Sequence, residues 1–111
     1  MSVTIVSVDS LQIGVADTTL YLCPANTKAR VVACTICNDT TTVPTFNINK
    51  VPFGWVVAVT NLLINTQSLG SRTSRVCPEI VGQILNGGDF LSGIASVAAQ
   101  ITISLSVVEV V

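Results

Sequence analysis

The stretch Ile101-Thr102-Ile103-Ser104-Leu105-Ser106-Val107-Val108-Glu109-Val110-Val111 decides the fold class. Up to Val107, apolar and hydroxyl side chains alternate. Ile101, Ile103, Leu105 and Val107 share one face, and Thr102, Ser104 and Ser106 share the other. Successive side chains of a strand point to opposite sides of its sheet, whereas a helix brings its apolar residues round every three or four positions. The β-branched content suits a strand as well. From Val107 to Val111 both faces turn apolar apart from Glu109, which predicts a strand end covered twice, by its own core and by a neighbour.

Working outward, Ala29 to Asn38 reads as a second strand, with Val31, Ala33, Thr35 and Cys37 set against Val32, Cys34 and Ile36. Both of its faces are apolar enough for a central position. Strand-like patterns recur at Val3 to Val8, Thr19 to Leu22, Val43 to Lys50, Gly54 to Ile64, Ser74 to Gln83 and Phe90 to Ala98. Turn chemistry separates them at Pro24-Ala25-Asn26, Asn38-Asp39-Thr40, Pro52-Phe53-Gly54, Asn65-Thr66 with Leu69-Gly70-Ser71, and Asn86-Gly87-Gly88-Asp89. The last of these predicts positive φ at its glycines and an Asp89 side chain bonded to local backbone. Ser92 to Gln100 is rich in alanine, but Gly93, Ile94 and Val97 oppose a helix, so it reads as strand with a tight turn at Ala98-Ala99. The expectation is all-β: a single antiparallel β-sandwich or jelly-roll-like domain of about seven or eight short strands over residues 1–111. Residues 1–10 would form an N-terminal arm or an edge strand.

Half of the 111 residues are hydrophobic and a tenth are charged, for a net charge of -1. Soluble domains usually carry roughly a quarter charged residues. A small sandwich has too thin a core to hide so much apolar surface, and what it leaves outside forms patches of the kind that mark interfaces. Oligomerisation is the simplest resolution. The basic residues Lys28, Arg30, Lys50, Arg72 and Arg75 make no phosphate-neutralising stripe. The aromatics Tyr21, Phe46, Phe53, Trp55 and Phe90 are too scattered to stack bases. No nucleic-acid partner is therefore expected. Nor is a membrane: Thr60-Asn61 breaks the strongest apolar stretch, Val56 to Ile64, far short of the roughly 20 residues a spanning helix needs. Residues 2–10 lack the basic start of a secretory leader. The expectation is a soluble chain made in the cytoplasm, with Cys23, Cys34, Cys37 and Cys77 kept as thiols.

Chemistry finds little purchase. The sequence has no histidine, the commonest general base and metal ligand. The acids Asp9, Asp17, Asp39, Glu79, Asp89 and Glu109 are widely spaced and fall mostly at expected turns. Cys34-Thr35-Ile36-Cys37 has metal or redox spacing, yet inside an alternating strand residues three apart face opposite ways. Asn86-Gly87-Gly88-Asp89 lacks the lysine and following helix of a phosphate loop. No catalytic residue, metal site or cofactor is expected, and the protein reads as a non-enzyme.

Two stretches together resemble a family of small virion proteins of tailed bacteriophages. One is Leu20-Tyr21-Leu22-Cys23-Pro24-Ala25-Asn26-Thr27-Lys28-Ala29-Arg30-Val31-Val32, running on to Asn38. The other is Leu85-Asn86-Gly87-Gly88-Asp89-Phe90-Leu91, followed by Ser96 and a closing strand. The resemblance spans about residues 18–111 and consists mostly of turn and core positions. It implies a capsid decoration (cement) protein, often a trimer seated over gaps between capsomers, and it carries over no active-site residue. The implied partners are copies of the chain itself as a homotrimer and the major capsid protein of a phage head, and the implied location is the virion. A tail, neck or fibre component is the alternative, and a sugar-binding host-adsorption module is a third reading. The residues expected at the partner interface are Val3, Ile5 and Val8 near the start, Val108, Val110 and Val111 at the end, and Trp55. Trp55 would serve equally as a core plug or as an anchor.

Overall fold

A computed structural model describes residues 2–111. It contains nine strands: β1 (Val3–Ile13), β2 (Thr18–Leu22), β3 (Lys28–Asn38), β4 (Thr45–Val51), β5 (Leu62–Ser68), β6 (Thr73–Val76), β7 (Ile84–Asn86), β8 (Phe90–Ala95) and β9 (Ile101–Val110). They form two antiparallel sheets. The five-stranded sheet runs β1-β9-β3, and β6 and β7 share the far edge of β3; the four-stranded sheet runs β2-β8-β4-β5. Counting β6 and β7 as two pieces of one strand position, the order is that of an eight-stranded jelly roll, in which two Greek keys fold over each other.

The alternation in the last strand does the expected work. Ile101, Ile103, Leu105 and Val107 are all buried, in one cluster with Phe46, Ile48 and Leu91 of the opposite sheet. Strand β9 is paired along both edges, with β1 from Ile13 to Val3 and with β3 from Asn38 to Lys28.

Four expectations change in detail. Strand β3 does not alternate cleanly: its register against β9 shifts between Val31 and Ala33, so Ala29 and Val31 face the core before the bulge and Cys34 and Ile36 after it. An extra residue in one strand moves every later side chain to the other face. Gly54 to Ile64 is strand only at its end, where Leu62 to Ile64 open β5. Residues 52–61 leave the sheet as a loop ending in a 3-10 turn at Val59–Asn61. Asparagine side chains hold that loop: Asn49 Nδ2 donates to the Ala58 carbonyl (2.9 Å) and Asn61 Nδ2 to the Val56 carbonyl (2.9 Å). Such side-chain bonds offer the backbone an alternative to the sheet ladder. Ser74 to Gln83 likewise stops at Val76, because Pro78 cannot donate to a ladder and the chain turns at Cys77, whose carbonyl accepts from Ile80 and Val81. By contrast Asn65-Thr66 does not end its strand but forms an irregularity inside β5, with Thr66 at φ 50°.

The Asn86–Asp89 turn is built much as its residues imply. Asp89 accepts from the backbone N–H of Asn86 and of Phe53, both at 2.9 Å. Only Gly88 has positive φ (91°). Gly87 is needed for closeness instead, since a Cβ there would meet Asn26 N at 3.0 Å and Pro24 O at 3.1 Å.

At the other end of the sandwich Asn38, fully buried, is a hub. Its Nδ2 donates to the carbonyls of Thr42 (2.8 Å), Gly70 (3.0 Å) and Leu69 (3.3 Å), and its Oδ1 accepts from Thr40 N (3.0 Å) and Oγ1 (2.6 Å). One side chain thus ties the β3–β4 and β5–β6 connections together. Asn38→Ala would leave several of these groups unpaired and is expected to cost about 3 kcal/mol, read as a lower urea midpoint at unchanged slope.

Candidate assembly interface

The outer face of the five-stranded sheet divides into two halves. The register sets two rows of side chains across four strands at the end where the chain termini lie. One row is Val3 (β1), Val110 (β9), Lys28 (β3) and Asn86 (β7); the next is Ile5, Val108, Arg30 and Ile84. Towards the opposite end the same face carries Ser7 beside Ser106, Thr35 beside Ser104, and Gln12 and Cys37 flanking Thr102. The face is therefore polar at one end and largely apolar at the other.

The apolar half is open to solvent. Ile5 is 78% exposed, Val3 57% and Ile84 53%. An open groove of about 890 Å³ runs along it, lined by Val32, Ile84, Val108, Val110 and Val111 with Lys28 and Arg30 on its central strand. Among the described residues neither cation has an ion-pair partner; the two pairs found there are Arg72–Asp39 (3.9 Å) and Arg75–Glu79 (2.7 Å). The groove combines apolar walls with two positive charges free to meet a carboxylate.

Of the residues expected at an interface, the structure brings Val3, Ile5, Val108, Val110 and Val111 together on this half-face. Val8 does not join them. It sits opposite the buried Leu105 and packs against the core, because an odd number of positions separates it from Val3 and Ile5. Trp55 is neither a core plug nor part of the groove. It stands 62% exposed on the loop of residues 52–61, which is tied to Asn49 of the other sheet, and Phe53, Val56 and Val59 are exposed beside it in sequence. Sequence reading missed Ile84 and the cations Lys28 and Arg30, since the signal that unites them is strand register.

The ionisable groups have structural tasks. Asp89 holds a turn, Glu79 pairs with Arg75, and Glu109 accepts a hydrogen bond from the Tyr21 hydroxyl, tying the end of β9 to the opposite sheet. Cys34 is buried and Cys37 exposed, so the C-x-x-C sulfurs lie on opposite faces of β3. Among the described residues no cluster of three or more His, Cys, Asp or Glu could hold a metal, and no helix is long and apolar enough to cross a membrane.

No family model and no curated protein matches the chain. Among solved structures it is similar to a Bacillus endospore appendage protein, from a family described as disulfide-linked pili, with TM-score 0.55 and 15% identity over 97% of this chain and 85% of that one. It is also similar to a chain of infectious bursal disease virus, Gx strain, with TM-score 0.49 and 17% identity over 96% of this chain and 32% of that one. The T13 particle of the same virus gives TM-score 0.47 and 17% identity, over 96% and 31%. The chain spans about a third of the length of these viral chains. At such identities the likeness to the pilus protein is one of fold, the two-sheet sandwich described above.

Burial, then the bond to Glu109, raises the pKa of Tyr21 above its ordinary 10.0. Unfolding releases the phenol to ionise near that ordinary value, so this contribution to stability is complete below pH 10 and declines above it. Tyr21 is the one tyrosine, so ultraviolet difference absorbance reports it directly. Tyrosinate is expected to appear only together with loss of the β-sheet circular-dichroism signal; ionisation near pH 10 in the folded protein would contradict the bond between buried Tyr21 and Glu109.

Proposed function

We propose that this chain is a structural, self-associating protein of a virion, a capsid decoration protein that assembles as a homotrimer and docks on the major capsid protein of a phage head. The observation that carries the reading is the half-apolar outer face, where Val3 and Ile5 of β1, Val108 and Val110 of β9 and Ile84 of β7 share two register rows with Lys28 and Arg30 of β3. A monomer gains nothing from placing these side chains in water, while the same face shows that serine and threonine fit the outward positions of the same strands. Burying apolar area contributes about 25 cal/mol per Å². A standard interface covers about 800 Å² per partner, a modest share of the 5878 Å² surface. Symmetric repetition multiplies a weak contact through avidity. The free cations Lys28 and Arg30 favour a partner segment that brings an apolar side chain and a carboxylate together.

A second reading, a fibre or tail component, is favoured by a different feature. Among the described residues, strands β1 and β5 end their sheets without a partner strand on the outer side. Unpaired edges invite strand addition, and a head-to-tail contact that does not close grows into a filament. The fold shared with a pilus protein is compatible with that use.

Light scattering on the purified chain separates these readings. A closed trimer at micromolar concentration supports decoration, filaments support the fibre reading, and a stable monomer overturns self-association. Ile5→Lys and Ile84→Lys are each expected to weaken association at least about tenfold with the circular-dichroism spectrum unchanged. Trp55→Ser is expected to leave assembly intact, since its loop belongs to the other sheet.

A further inference from the structure

Two cysteines on the buried side of the five-stranded sheet face each other. The β3–β6 register pairs Thr35 with Val76 and Ile36 with Arg75. Continued by one step, it sets Cys34 opposite Cys77, and Cys77 N donates to the Cys34 carbonyl at 3.2 Å. Both side chains point inward and are buried. Residues directly opposite on a hydrogen-bonded antiparallel pair hold their Cα atoms roughly 5.5 Å apart, within the span of a disulfide, and closing the bond draws their Cβ atoms together by about 1 Å. Cys23 bonds the carbonyls of Thr27 and Leu85, and Cys37 lies on the outer face, so neither competes for this contact.

We propose that Cys34 and Cys77 form a dithiol site that closes to an internal disulfide, fastening the segment after β6 onto the central strand β3. The surroundings assign roles to the two sulfurs. Cys77 is shifted towards the thiolate, chiefly by its hydrogen bond with Cys34 and also by the Arg75 guanidinium, whose Nη1 lies 4.0 Å from its sulfur. Cys34 is shifted the other way, by the same partner and by burial. The oxidant is a small-molecule disulfide. The Cys77 thiolate attacks one of its sulfurs and expels the first small thiolate, which takes up a proton. Cys34 gives its proton to solvent, attacks the Cys77 sulfur of the mixed disulfide and expels the second. The protein dithiol loses two electrons and the small disulfide becomes two thiols. Strand β6 gives access: it is four residues long, at the sheet edge, and exposed at Thr73, Ser74 and Val76, and such short edges open locally without global unfolding.

The chain between the two cysteines carries β4 and β5 of the other sheet, so the bond would close a long loop across the sandwich, the case in which a cross-link most restricts the unfolded chain. The test compares the full-length protein after incubation with oxidised glutathione and after dithiothreitol. Expected are two of the four thiols protected from alkylation, a mass lower by two hydrogens, a non-reducing digest joining the Cys34 and Cys77 peptides, and a melting midpoint raised by roughly 10 °C. Cys37→Ser should behave as the parent does, and Cys77→Ser should lose both protection and shift. Four alkylatable thiols after oxidation, a link through Cys23 or Cys37, or a Cys34–Cys77 link that leaves the midpoint unmoved would each overturn the proposal. The comparison of the two redox forms of the parent chain decides the matter even where a variant folds poorly.

Discussion

Strand β9 is hydrogen-bonded along both of its edges, and its inward side chains Ile101, Ile103, Leu105 and Val107 fill the middle of the core. Each such burial contributes roughly 1.5–3 kcal/mol relative to exposure. Without β9 the strands β1 and β3 would have no shared neighbour and the inner residues of the opposite sheet nothing to pack against. The two-residue period that satisfies this core also fixes what the outer face displays, because every inward position forces its neighbours outward.

That coupling gives the half-apolar outer face its meaning. Along β9 the outward positions run Thr102, Ser104, Ser106, Val108 and Val110, and only the last two are apolar. Their register partners follow suit, with Gln12 and Ser7 giving way to Ile5 and Val3 on β1. Folding requires none of these outward choices. The change from hydroxyl to hydrocarbon along β9 is matched on β1, while β3 carries Arg30 and Lys28 in the same rows, so the exposed apolar side chains form a contiguous patch rather than scattered valines. The charges are arranged with similar economy. Glu79, Asp89 and Glu109 are each committed to an internal bond, while Lys28 and Arg30 stand over the groove with no ion-pair partner among the described residues.

Much of this was legible in residue order, and the failures are instructive. Ile101 to Val107 announced an inward face, and Asn86 to Asp89 announced its turn, because both depend on neighbours one to three positions away. Gly54 to Ile64 misled because Val56, Val57 and Val59 have strand propensity, while the asparagines that pull the segment into a loop act from Asn49, in another strand, as well as from Asn61. Val8 misled because hydrophobicity was read without parity. The bulge at Val31–Ala33 left no mark in composition, since either face of β3 could have been the buried one.

The amino-acid sequence alone determined the class of structure, the strand identities at the chain's end, the absence of histidine chemistry and the surplus of hydrocarbon over charge, since all of these are set by side-chain type and short-range spacing. Tertiary structure alone decided which residues meet. Strand register carried Ile84 to Arg30 and Val108, seated Cys77 against Cys34, and sent Trp55 to a different surface from Ile5. Register is a relation between strands distant in the chain, fixed by the joint burial of their inner faces and by bulges, and no single segment contains it.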